Sequence, residues 1–146
     1  MNRVFLDANV FLYAVGTTQR ERDACRGVLE LAVDGQLAGE TSVEVVQEVA
    51  HVRARRLGLV DAVARGRWAL ALGLCVHAVE ARDLERAFDL LDQVAGGHVR
   101  DALHAATALN RGVTSILSAD RAFDAFPGVR RVDPTDCAAV EALLRT

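Results

Sequence analysis

The sequence predicts an α/β fold in which a short central parallel sheet is flanked by helices. Three observations predict it. Short apolar runs alternate with longer segments of helical spacing. The apolar runs are nearly continuous, as strands covered on both faces are. Glycines and helix-capping residues punctuate the alternation. The 146 residues suit a single domain, 1–146. At 51% apolar and 25% charged, the chain has an ordinary globular balance. A chain of this length buries enough surface to fold without a disulfide or a structural metal.

The elements follow in order. Val4-Phe5-Leu6 reads as a buried strand ending at Asp7, and Val10 to Val15 as a helical turn. Thr17 to Val33 places Ala24, Val28, Leu29, Leu31 and Ala32 on one helical face, with Thr17 or Thr18 as cap. Gly39-Glu40-Thr41-Ser42 reads as a strand end followed by an N-cap. Val43 to Leu57 is then helical, with Val45, Val46, Val49, Ala50 and Val52 on one side. Leu59 to Leu72 is a further helix and Leu74 to Val79 a strand. Leu84 to Val94 is a helix stopped by Gly96-Gly97. Asp101 to Leu109 is an Ala-rich helix closed by Gly112. Val113 to Leu117 is a strand ended by Ser118-Ala119-Asp120. Val129 to Val132 suits a last edge strand, and Pro134 is expected to open a terminal helix through Leu144.

Composition excludes several chemistries. All 17 basic residues are Arg. Without Lys there is no Schiff-base lysine, no P-loop lysine and no Ser-Lys pair. A phosphoacceptor receiver, which sets a Lys beside its Asp, is disfavoured for the same reason. The net charge of −3 argues against a broad basic face, and the 5% aromatic share against stacking platforms for single strands. Cys25, Cys75 and Cys137 have neither CxxC nor zinc spacing and are expected to be buried, reduced thiols. That fits a cytoplasmic location. The N-terminal stretch, broken by Asp7 and Asn9, does not read as a signal peptide. No apolar run reaches the ~18 residues of a membrane span, so no membrane association is expected.

Four acids stand out by position. Asp7 ends an apolar strand, and Asp120 follows another. Glu48 lies near the inward face of its helix, and Asp101 opens a segment apolar enough to be buried. In a parallel sheet, ligands bind outside the carboxyl ends of the strands, which places Asp7 and Asp120 at one rim. Two carboxylates ~5 Å apart repel by about 3 kcal/mol at an effective dielectric of ~20. A converging set must therefore hold protons or bind a cation. Oxygen donors select Mg²⁺ or Mn²⁺, and the implied reaction is metal-assisted phosphodiester hydrolysis. Taken singly, each acid also has a plain reading: Asp101 as a first-turn acid, Asp120 as a turn residue, Glu48 as a helix-surface acid.

Leu6-Asp7-Ala8-Asn9-Val10, Glu48 in Val46-Gln47-Glu48-Val49, Val99-Arg100-Asp101-Ala102-Leu103-His104-Ala105-Ala106 and Leu117-Ser118-Ala119-Asp120-Arg121-Ala122-Phe123-Asp124 resemble the PIN-domain ribonucleases. The resemblance is strongest to the VapC-type toxins of toxin–antitoxin pairs and spans nearly the whole chain. It implies a PIN-like three-layer α/β/α fold. It implies that Asp7, Glu48, Asp101 and Asp120 form the catalytic quartet around Mg²⁺ or Mn²⁺. Asp7 and Asp101 would be the leading direct ligands. Glu48 and Asp120 would complete the site, Asp120 with them as a ligand, and one of the two would position or deprotonate water. Asp124 matches a more variable accessory acid. Asn9 and Ser118 match polar positions that hydrogen-bond the acids. The resemblance further implies an RNA substrate, a cognate antitoxin protein and a homodimer. Competing readings are a PIN-like nuclease of RNA processing or DNA cleavage without an antitoxin, and a non-catalytic partner-binding module.

Other features carry weaker signals. Arg53, Arg55, Arg56, Arg65 and Arg67 form the basic cluster, read as a solvated helix pair, an RNA-phosphate groove or an antitoxin-docking arm. His51, His77, His98 and His104 share no ligand spacing and are expected to be structural, with His104 notable for lying one turn after Asp101. Trp68 and the apolar positions of the 59–72 helix are expected to serve the core or a dimer contact.

Overall fold

The computed structural model describes residues 2–145, along which strands and helices alternate. They are β1 (Arg3–Leu6), α1 (Ala8–Ala14), α2 (Gln19–Val33), β2 (Ala38–Ser42), α3 (Val43–Leu57), α4 (Leu59–Leu70), β3 (Cys75–His77), α5 (Ala81–Asp92), α6 (Val99–Asn110), β4 (Ser115–Leu117), β5 (Arg130–Val132) and α7 (Cys137–Leu144). The strands form one sheet in the order β3-β2-β1-β4-β5, and every pair is parallel. The sheet is flanked by the helices in an α/β/α arrangement. The order reverses at β1, with β2 and β3 on one side and β4 and β5 on the other. Such a switch point leaves a crevice at the carboxyl ends of β1 and β4.

Burial explains the strand sequences. Val4, Phe5, Leu6, Ile116 and Leu117 are fully buried, so these strands have no polar face. Helix α6 owes its close approach to small side chains: Ala102, Ala105, Ala106 and Ala108 are fully buried. His104, on the same helix, meets the Phe5 ring at a centroid distance of 6.5 Å. The expected junction before α3 is present, where the Ser42 hydroxyl accepts the Val45 N–H at 3.1 Å. Gly39 sits in a tight space, because a Cβ there would lie 3.0 Å from the Ala32 Cβ.

Several expectations are corrected. Helix α1 starts at Ala8, directly after Asp7, and α6 starts at Val99, so Asp101 sits inside the first turn. Pro134 does not open α7. Asp136 caps that helix by accepting the Ala139 N–H at 3.1 Å. Arg121–Ala125 forms a 3-10 turn that apolar spacing did not indicate. Of the thiols only Cys25 is buried, while Cys75 and Cys137 are exposed. Cys75 lies on β3, an edge strand of the sheet, and Cys137 occupies the first position of α7, where one side of the element faces solvent. Trp68 is half-buried and packs edge-on against Phe11 at 6.2 Å.

Helices α3 and α4 form a hairpin closed by Gly58. Arg53 is buried here, its Nε and Nη2 donating to Asp61 at 2.6 and 2.9 Å. It therefore belongs to the hairpin and not to a solvated basic cluster, while Arg55, Arg56 and Arg67 remain exposed. Gly58 has φ +92° and ψ 175°, a region open essentially to glycine alone. Gly58→Ala is expected to lower stability by about 1–3 kcal/mol in urea denaturation. An unchanged midpoint would show that the hairpin does not hold this turn.

Candidate metal centre

Asp7 is the base of the site. Its N–H donates to the Leu117 carbonyl at 3.1 Å, so the β1–β4 ladder sets its position. Its side chain is buried. Carboxylate Oδ2 accepts the Ser118 hydroxyl at 2.8 Å and the Asn9 amide at 2.9 Å. The same Asn9 amide reaches Ser118 Oγ at 2.9 Å, and that oxygen also accepts the Asp120 N–H at 3.0 Å. The Ala119 N–H donates to Asn9 Oδ1 at 3.2 Å. Asn9 and Ser118 thus orient the acid, as their matching positions implied. Asp7 Oδ1, by contrast, is buried with no hydrogen-bond partner among the described residues.

The other acids approach from two helices and a turn. Glu48 on α3 is half-buried, and the His104 Nε2–H donates to its Oε1 at 3.2 Å. The half-exposed Arg100 places Nε 3.5 Å from the same oxygen. Asp7, Glu48 and His104 each offer a ligand atom within 4.8 Å of the others. Asp101, half-buried on α6, couples to this set through its charge. Asp120 is exposed, and one of its oxygens accepts the Ala122 N–H at 2.9 Å, so it also caps the 3-10 turn. Asp124 is exposed and forms an ion pair with Arg131 at 2.9 Å. Arg131 in turn donates to the Ser118 carbonyl at 3.1 Å.

Charge crowding shows in the titration of these groups. Burial, with Glu48 adding to it, pushes the Asp7 carboxyl up to about 6, against the pull of His104 and Ser118. Asp101 is raised by burial first and then by the charges of Asp120 and Glu48. Burial works against a charged His104. The hydrogen bond to Glu48 and the charges of Asp7 and Asp101 outweigh it and raise that imidazole above its ordinary value.

The residues fit a divalent cation. A buried carboxylate oxygen without a donor is costly unless a cation takes it, and the surrounding donors are oxygen-rich. Two residues of the site were not singled out as functional from sequence. His104 lies in the core as expected, yet it holds Glu48. Arg100 is the cation beside the acids. Their signals were one helical turn from Asp101 and direct adjacency to it.

Fold and site together define an α/β protein that gathers acidic side chains able to bind a metal at its topological switch point. The PIN-domain family model matches residues 4–129. Ribonuclease VapC7 of Mycobacterium tuberculosis is 37% identical over 145 residues, covering 97% of each chain. Ribonuclease VapC13 of the same organism is 30% identical over 133 residues, 88% of this chain and 98% of that one. DNA-bound VapBC from Salmonella typhimurium superposes with a TM-score of 0.73 at 17% identity, over 92% of this chain and 99% of that one. The chain belongs to the PIN-domain family, among the VapC ribonucleases.

The raised Asp7 pKa has a sign that can be tested. An unfolded Asp7 ionises near 3.8 and the folded one near 6. Between these values the folded chain holds a proton that the unfolded chain has released, so stability falls as pH rises through the window. The cost at pH 7 is of order 3 kcal/mol without metal. Asp7→Asn is therefore expected to be more stable than the parent in EDTA at pH 7, with the gap closing below pH 4. Urea midpoints across this range measure it, and a gap that widens toward acid pH would contradict the assignment.

Proposed function

We propose that the protein is a divalent-metal-dependent endoribonuclease acting as the toxin of a type II toxin–antitoxin pair, with Mg²⁺ as its working ion and Mn²⁺ as a substitute. The observation that carries this reading is Asp7 Oδ1, buried and without a partner among the described residues, on a carboxylate grouped with Glu48 and His104. Asp7, Asp101 and Asp120 are the proposed metal ligands, and Glu48 completes the catalytic quartet. An ion held there would supply Lewis-acid polarisation of a phosphoryl oxygen and a lowered pKa for the attacking water. Asn9 and Ser118 hold Asp7 in place. Glu48, steadied by His104, accepts the proton of the attacking water. Arg100 stands at the rim as the cation for a phosphate, since the chain has no Lys.

Residues 1–146 act as one catalytic domain, placed in the cytoplasm. Among the described residues no helix is long and apolar enough to cross a membrane. The related solved structures include toxin–antitoxin complexes, which supports a cognate antitoxin as partner. Leu59, Val60 and Val63 on α4 and Leu57 just before it are exposed apolar side chains, Val60 at 90%. Such a patch suits a homodimer contact.

Asp7→Ala and Asp101→Asn are expected to lower Mg²⁺-dependent RNA cleavage by about a hundredfold or more, since the ion's contribution is several kcal/mol. Sequencing of RNA ends after brief induction of parent and variant reads it in cells. Excess EDTA should stop cleavage and leave the far-UV circular dichroism unchanged. Cleavage by Asp101→Asn at the parental rate would refute the quartet. Val60→Glu is expected to yield a monomer in light scattering, and a retained dimer would place the interface elsewhere.

A further inference from the structure

A second group of ligating side chains lies where β2 meets the edge strand β3. Register sets Glu40 beside Cys75 and Ser42 beside His77. Residues two apart on a strand share a face, so Cys75 and His77 point the same way, over Glu40. Cys75 Sγ lies 3.7 Å from His77 Nε2, and that nitrogen lies 2.5 Å from Glu40 Oε1. The three donor atoms all fall within 4.8 Å of one another. Tetrahedral Zn²⁺ with ordinary bond lengths separates its donors by roughly 3.3–3.6 Å. The thiol and imidazole, at 3.7 Å, lie just outside that spacing. The imidazole and carboxylate need to open by less than an ångström, which a small side-chain rotation supplies.

The chemistry of this set differs from that of the acidic pocket. One thiolate, one imidazole and one carboxylate select a borderline-soft ion such as Zn²⁺ over Mg²⁺. Three protein donors leave a fourth position for water. Arg3 donates to both Glu40 oxygens, Nε to Oε2 at 2.5 Å and Nη2 to Oε1 at 3.0 Å, and so orients the carboxylate. Cys75 is exposed, so an ion has a path in. The donors sit on paired strands and not on loops, which holds them in place without metal.

We propose that Glu40, Cys75 and His77 form a zinc site that takes one Zn²⁺ and pins β3 to β2. Co²⁺ is the spectroscopic probe, added to the full chain. The expected result is one equivalent showing a thiolate-to-cobalt charge-transfer band, bleached by Zn²⁺. Cys75→Ser and His77→Gln should lose the band. Asp7→Asn and Cys137→Ser should keep it, since oxygen-only ligands give no thiolate band. Circular dichroism reports whether each variant is folded. Where one is not, alkylation of Cys75 in the parent chain reads the same site, and Zn²⁺ is expected to slow it by about tenfold or more. Absence of a thiolate band, its survival in folded Cys75→Ser, or alkylation indifferent to Zn²⁺ would overturn the proposal and leave the three residues a strand clamp.

Discussion

A buried carboxylate with one satisfied and one unsatisfied oxygen is the constraint around which this molecule is arranged. Asp7 cannot retreat to solvent, because its backbone is paired to β4 and its neighbours are core residues. Ser118 and Asn9 fix Oδ2, and fixing one oxygen fixes the direction of the other. The protein thus carries a rigid, desolvated acceptor whose natural complement is a cation. The cost is visible in the raised pKa, which sets an unmetallated site against the folded state.

The fold concentrates charge here because parallel strands end together. Chain order reverses at β1, so the segments leaving β1 and β4 diverge and open a crevice between them. Asp7 and Asp120 arrive on those segments, while α3 and α6 bring Glu48 and Asp101 alongside. Part of the repulsion is relieved by cations already in place. His104 and Arg100 attend Glu48, and Arg131 neutralises Asp124. What is left uncompensated is concentrated on Asp7 and Asp101, the two carboxyls pushed upward.

The carboxyl end and the middle of β2 show how one sheet positions side-chain clusters of opposite character. At its carboxyl end the chain turns into α3, which carries Glu48 to an oxygen-rich pocket. In mid-strand, Glu40 meets a thiol and an imidazole from β3. An all-parallel sheet with a three-residue edge strand leaves that side of β2 open to cross-strand side chains, and polar groups there pair with one another instead of with core.

The alternation of elements and the apolar strands were legible from one dimension, and the four acids stood out there as candidates. Strand burial dictates continuous apolar runs, and residues at strand ends and on inward helix faces have a local signature. Boundaries were less legible. Pro134 looked like a helix start and Asp136 was the cap, and the 3-10 turn at Arg121–Ala125 has no apolar period of its own. The cysteines misled because apolar neighbours in sequence do not reveal which strand lies at an edge. Arg53 looked like part of a basic patch until the hairpin set Asp61 against it. Sequence by itself determined the layer architecture and singled out the acids proposed as metal ligands, because periodicity and strand ends are local properties. Only the tertiary structure decided that His104 and Arg100 hold Glu48, that Asp7 keeps one oxygen without a donor, and that Glu40 faces Cys75 and His77. Those facts depend on strand order and helix packing, which join residues that no spacing along the chain connects.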